Sequence, residues 1–164
     1  MQSLSIMADI QDRQTSHENG HERLSRIPND MLFRECRRIM SEGRDVLLTA
    51  KGSSMYPFIR DGDKVLVGRK ETYMKGDIVL ALTSEGKYVM HRIIKVKDGT
   101  VILRGDANLR KTETCMPQDI AGAVISITRN GKHVLCSSAK EKAKSAVWQA
   151  LFPFRRLILK IMRG

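Results

Sequence analysis

Residues 88–104 read Tyr88-Val89-Met90-His91-Arg92-Ile93-Ile94-Lys95-Val96-Lys97-Asp98-Gly99-Thr100-Val101-Ile102-Leu103-Arg104. Runs rich in β-branched residues stand on either side of Asp98-Gly99, a dipeptide that tolerates the positive φ angles of a tight hairpin turn. The stretch is expected to form one long β-hairpin, with successive side chains on opposite faces.

Similar short runs recur on both sides: Val46 to Ala50, Lys64 to Val67, Asp77 to Leu82, Ile120 to Thr128 and His133 to Cys136. Asp61-Gly62-Asp63, Ser84-Glu85-Gly86 and Asn130-Gly131 punctuate them, and Asn130-Gly131 reads as a second tight turn. Many short strands separated by turn residues describe a mainly β domain. Ahead of it, Pro28-Asn29-Asp30 is a helix start, Leu32, Cys36, Ile39 and Met40 recur at helical spacing, and Gly43 is a stop. From Ala139 the pattern is helical again and breaks at Pro153. Beyond that proline, Phe154, Leu157, Ile158, Ile161 and Met162 line one face, with Arg155, Arg156, Lys160 and Arg163 mostly on the other. The expected organisation is a disordered polar tail over 1–27, a β-domain with its helix over 28–138, and a basic amphipathic helix over 139–164.

Lys and Arg total 29 against 18 Asp and Glu, a formal charge of +11. From Arg129 to Gly164 there are nine basic residues and one acid, Glu141, a net of +8, so the basic character belongs to the C-terminal part. Cys36, Cys115 and Cys136 are odd in number and widely spaced, which suits reduced packing residues, not a disulfide framework or a metal site. No cofactor is expected. Asp9, Asp12, Glu18 and Glu22 interrupt any leader-like apolar stretch, and no run approaches the ~20 apolar residues of a membrane span. A cytoplasmic protein is expected.

The densest chemical signal is Lys51-Gly52-Ser53-Ser54-Met55-Tyr56-Pro57-Phe58, between two strand runs. A small residue before the serine, with Met and Pro just after, lets the chain turn sharply and present a hydroxyl. Alone, the motif would better suit a serine capping a short helical turn. The blocks that follow are Gly76-Asp77-Ile78-Val79-Leu80, Val89-Met90-His91-Arg92-Ile93-Ile94 and Arg104-Gly105-Asp106-Ala107-Asn108. This ordered series, over about Asp45 to Thr128, resembles type I signal peptidases and the related self-cleaving SOS repressors. The stretch from Ile27 to Phe58 is also similar to a bacterial, cytoplasmic branch of that clan lacking the membrane anchor.

The resemblance implies a signal-peptidase-like β fold and a serine endopeptidase that cleaves a leader or precursor peptide. It maps the nucleophile to Ser54 and the general base to His91. Bacterial signal peptidases and SOS repressors carry lysine at the base position, whereas the endoplasmic-reticulum type carries histidine before arginine, as in His91-Arg92. An imidazole titrates near neutrality and needs no deep burial to act as a base. Asp106 matches the family's Gly-Asp block and is the first choice to orient the imidazole. Where the endoplasmic-reticulum type has a further acid, this chain has Thr112 followed by Glu113, which leaves Glu113 as the other candidate. The Ser54 N–H is expected in the oxyanion hole. Gly52 stands where some bacterial signal peptidases add a serine, so other backbone donors or the Ser53 side chain would serve. Asp63 and Asp77 read as turn residues. Met55, Phe58 and the strand from Asp77 are expected walls for an extended substrate with small side chains before the cut.

A self-cleaving repressor would need a DNA-binding helix-turn-helix upstream, and residues 28–43 offer one helix. Its Ala-Gly would also belong in an upstream linker, whereas Ala121-Gly122 follows the serine. A noncatalytic β-domain would tolerate loss of the serine or the histidine, and both are present. The expected partners are a peptide or protein precursor and an anionic membrane surface touched by the C-terminal helix. Nucleic acid ranks below the membrane.

Overall fold

The computed structural model describes Met7–Ala8 and residues 29–163. Apart from that dipeptide, the tail expected over 1–27 lies outside the described residues. Helix α1 spans Asn29–Ser41 and buries Leu32, Phe33, Cys36, Ile39 and Met40, a stripe at the three- and four-residue spacing of one helix face. Gly43 ends it with φ 79°, a left-handed conformation that glycine adopts without steric cost.

The strands are β1 (Met7–Ala8), β2 (Val46–Thr49), β3 (Lys64–Gly68), β4 (Ile78–Leu82), β5 (Tyr88–Lys97), β6 (Thr100–Arg104), β7 (Glu113–Cys115), β8 (Ile120–Arg129) and β9 (Lys132–Leu135). They form a mainly β, wholly antiparallel sheet in the order β1-β2-β3-β8-β4-β5-β6-β7, with β9 paired to β8. Strand β8 is the hub. One of its edges carries β3, while the other is shared by β4 near Ile120–Ala123 and β9 near Ser126–Arg129. Bulges at Leu66/Val67 and Leu80/Ala81 interrupt the register on both sides of β8, where they bend the sheet.

The hairpin expected over 88–104 is present as β5 and β6, turning through Asp98 (φ 49°) and Gly99 (φ 72°); Asn130 (φ 47°) and Gly131 (φ 73°) turn β8 into β9. Positive φ at both turn residues is what matches a two-residue connection to the strand twist. Strand β7, three residues long, was not among the expected runs.

One hydrophobic cluster lies between α1 and the sheet and includes Met40, Leu48, Met55, Val65 and Met90. A second gathers Val79, Ile93, Leu103 and Cys115. Helix α1 seats directly over Gly122, where a Cβ would come within 2.5 Å of Met40 Sδ and 2.8 Å of the Gly68 carbonyl. After β9, α2 (Ala139–Ala150) begins at Ser138, whose hydroxyl accepts from the Glu141 N–H. A 3-10 turn over Phe152–Phe154 contains Pro153 and leads into α3 (Arg155–Arg163). The break expected at Pro153 is there. None of the described helices is long and apolar enough to cross a membrane.

Candidate active site

Ser54 lies in the turn-rich connection between β2 and β3, half-buried at the sheet's surface. Met55 and Ile59 are buried in the core and hold that connection down. Gly52 takes φ 94°, and its N–H donates to Asp61 Oδ1 at 2.8 Å. The Ser54 carbonyl accepts from the Ala107 N–H at 2.8 Å. That approach depends on Gly105, whose missing Cβ would otherwise sit 2.6 Å from the same carbonyl. Backbone contacts therefore fix Ser54 against the loop after β6.

His91 comes from the middle of β5. Its Nε2 is 3.2 Å from Ser54 Oγ, and its Nδ1 is 3.0 Å from Glu113 Oε2 on β7. His91 and Glu113 are only 4% and 6% exposed. Strand register explains the meeting. Ile93 pairs with Leu103 and Leu103 with Glu113, so all three share a face, and His91, two residues from Ile93, is on it as well. A carboxylate at Nδ1 accepts that N–H and leaves Nε2 as an acceptor facing the serine hydroxyl.

Asp106, the first choice for orienting His91, is elsewhere. Arg92 pairs with Arg104, on the face opposite His91, and Asp106 stands two residues beyond Arg104 on that side. Arg92 Nε donates to Asp106 Oδ1 at 2.9 Å and Nη2 to Oδ2 at 2.7 Å, while Nη1 reaches the Gly76 carbonyl at 2.8 Å. Asp106 is thus a buried structural anion, and the residue on His91 is Glu113. Asp63 and Asp77 serve turns, as expected: Asp63 holds Arg129 and the Arg60 N–H, and Asp77 holds Lys70 and the Met74 N–H. Of the expected substrate walls, Met55 is a core residue. Phe58 is half-buried between the Arg92 guanidinium, 4.8 Å from its ring centroid, and the edge-on ring of Trp148.

The sequence contained no sign that the C-terminal helices close the Asp106 side. Trp148 Nε1 donates to the Asp106 carbonyl at 3.0 Å, and Gln149 Nε2 to Asp106 Oδ1 at 3.2 Å. Arg155, expected to face outward, is fully buried: its Nε donates to the Trp148 carbonyl at 2.9 Å, and its guanidinium lies 5.2 Å from that indole. Burial pushes the Arg155 guanidinium down to about 10, with Arg104 and Arg92 adding repulsion and Asp106 opposing both. Only long side chains with stacking partners make such burial tolerable. A Trp and an Arg seven residues apart can be read as amphipathic spacing; their shared target on another element is not visible until the chain folds.

Residues 8–125 match the family described as Peptidase S24-like. The chain belongs to the Peptidase S24-like family. It is also 34% identical over 85 residues to the LexA repressor of Limosilactobacillus fermentum (strain NBRC 3956 / LMG 18251), a match covering 51% of this chain and 40% of that protein. The chain thus aligns with less than half the length of that relative. The S24-like region holds Ser54, His91 and Asp106 as well as Glu113. In this S24-like chain burial pushes the thiols of Cys36, Cys115 and Cys136 up to about 11, so near neutrality they are protonated and poor nucleophiles.

Proposed function

We propose that this S24-like protein is a serine endopeptidase of the histidine-base subtype that cleaves a leader or precursor peptide. Ser54 is the nucleophile, His91 the general base and Glu113 the acid that orients it. The observation carrying this reading is the continuous contact Ser54 Oγ, His91 Nε2 and His91 Nδ1, Glu113 Oε2, at 3.2 and 3.0 Å. Glu113 accepts the hydrogen bond from Nδ1–H and stabilises the imidazolium that forms when Nε2 takes the proton of Ser54 Oγ as the oxygen attacks the peptide carbonyl. The same Nε2–H then protonates the leaving amine. Among the described residues the Ser54 N–H has no hydrogen-bond partner, which supports it as a donor to the developing oxyanion. Water then attacks the acyl-enzyme, with His91 again as base.

A second reading is favoured by the likeness to a LexA repressor: a regulator that cuts only its own chain. Ala121-Gly122 does not support it as the cut, because both residues are buried within β8 and α1 seats on Gly122.

The test is incubation of the protein with a complex peptide library and mass spectrometry of the new termini. The expected result is cleavage after small side chains by the wild type and none by Ser54→Ala. Cleavage by both proteins, or by neither, overturns the peptidase reading in trans. If neither cuts the library and only the wild type cuts itself, the second reading holds.

A further inference from the structure

The face of α3 opposite its docking contacts is apolar and open. Arg155 and Leu159, four residues apart, are the buried side of this helix. Phe154, Leu157 and Ile161 point away from it and are 63%, 62% and 72% exposed. They recur at three- and four-residue spacing, so they form one ridge along the helix and the turn before it. Arg156 and Lys160, also four apart and exposed, run along a flank of that ridge, and neither has an ion-pair partner among the described residues. No acid occurs between Lys142 and Gly164. An isolated apolar side chain at a surface is ordinary, but a ridge of three beside a row of uncompensated cations has a specific complement.

We propose that α3 is a docking face for an anionic membrane surface, with Phe154, Leu157 and Ile161 entering the acyl boundary and Arg156 and Lys160 meeting phosphate headgroups. The chemistry favours lipid over its rivals. A nucleic acid would use the cations and leave the ridge in water. A second copy of this chain would oppose cation to cation across a twofold interface. The orientation follows from the docking of α3. Tyr56 Oη donates to the Met162 carbonyl at 3.3 Å, and Tyr56 is two residues from Ser54 in the candidate site. A lipid-bound α3 therefore holds the nucleophile loop near the headgroup plane, which narrows the proposed substrates to precursors presented at a membrane surface. The lipid contact stands apart from the peptidase reading; the substrate class rests on it.

The experiment is sedimentation of the full-length protein with phosphatidylglycerol-containing and with pure phosphatidylcholine vesicles, read without substrate. Point variants are used because loss of the helices would also uncover Asp106 and Phe58. The wild type is expected to pellet with the anionic vesicles and to remain largely in solution with phosphatidylcholine. Leu157→Asp/Ile161→Asp is expected to abolish pelleting. Arg156→Glu/Lys160→Glu should lower partitioning by ~25-fold or more, since each basic residue near such a surface contributes about a fivefold factor. All four side chains are exposed, so both variants should keep the wild-type melting temperature. A wild type that stays in solution with anionic vesicles overturns the proposal, as does a Leu157→Asp/Ile161→Asp protein that still pellets. If sedimentation velocity shows a dimer that Leu157→Asp/Ile161→Asp dissociates while vesicle binding is absent, the face belongs to a second copy and the proposal fails. Because no peptide is cleaved in these assays, their outcome is separate from the library test of Ser54.

Discussion

Glu113 reaches past the end of β6 to His91, its Oε2 3.0 Å from the imidazole Nδ1. Both side chains are buried, so the carboxylate has little competition from water for that N–H. Asn or Gln in place of such an acid keeps the shape but lets the imidazole adopt the wrong tautomer, at a cost of up to ~10⁴ in kcat. Glu113→Gln is expected to lower kcat by about 10²–10⁴ with KM nearly unchanged. A kcat above a tenth of wild type would remove Glu113 as the group that orients His91.

Asp106→Asn should behave differently, because Asp106 neutralises Arg92 on the other face of the hairpin. Removing one partner of a buried ion pair costs about 3–5 kcal/mol. Expected is a large drop in the urea midpoint; where the fold survives, the pH profile of kcat should match wild type. A stable Asp106→Asn protein with a shifted profile would return Asp106 to the catalytic group.

His91→Lys tests the proposed base. At this buried position an ammonium would pair with Glu113 and remain charged, so the amine would not accept a proton from Ser54. Activity near pH 7 should fall at least ~100-fold. Wild-type-like kcat at neutral pH would show that a lysine base works here unaided and that the imidazole is not special.

Gly105→Ala addresses the positioning of Ser54 without touching a reacting group. The new Cβ would meet the Ser54 carbonyl at 2.6 Å and Asn108 Nδ2 at 2.8 Å. The Asn108 amide can rotate away, but the Ser54 backbone cannot move without carrying Oγ off His91. Overpacking of this kind costs about 1–3 kcal/mol, and kcat should fall more than stability does. Full activity would mean that the Ser54 loop has slack.

The three thiols, two buried and that of Cys136 partly so, make a pH prediction. Cys36, Cys115 and Cys136 are pushed from 9.0 up to about 11 by burial. Their protonated forms are favoured in the folded state, so this contribution is complete below about pH 9 and is lost as pH rises towards 11. Urea midpoints measured from pH 7 to 11 should decline over that window, and less steeply for Cys36→Ala. Identical slopes would dismiss the thiol at Cys36 as a contributor.

The hairpin, its Asp98-Gly99 turn, α1 and the break at Pro153 were legible in the sequence because each rests on local chemistry: alternation, positive φ, helical spacing and a missing N–H. The motif around Ser54 and the block around His91 were legible for the same reason, each being a run of adjacent residues. The acid on His91 was not. Glu113 lies in a three-residue strand too short to show a period, and it meets His91 only because β7 pairs with β6 and β6 with β5 in one register. Asp106 failed by parity, since its place beyond Arg104 put it on Arg92's face. The fate of the basic helix was decided likewise by contacts far apart in the chain. Arg155 is buried because Trp148 and the Asp106 loop meet it there, and that docking leaves Leu157 and Ile161 outside. Local sequence determined which segments fold and which side chains could react. Tertiary register decided which of them touch, because a strand's partner and a helix's docking face are properties of the whole chain.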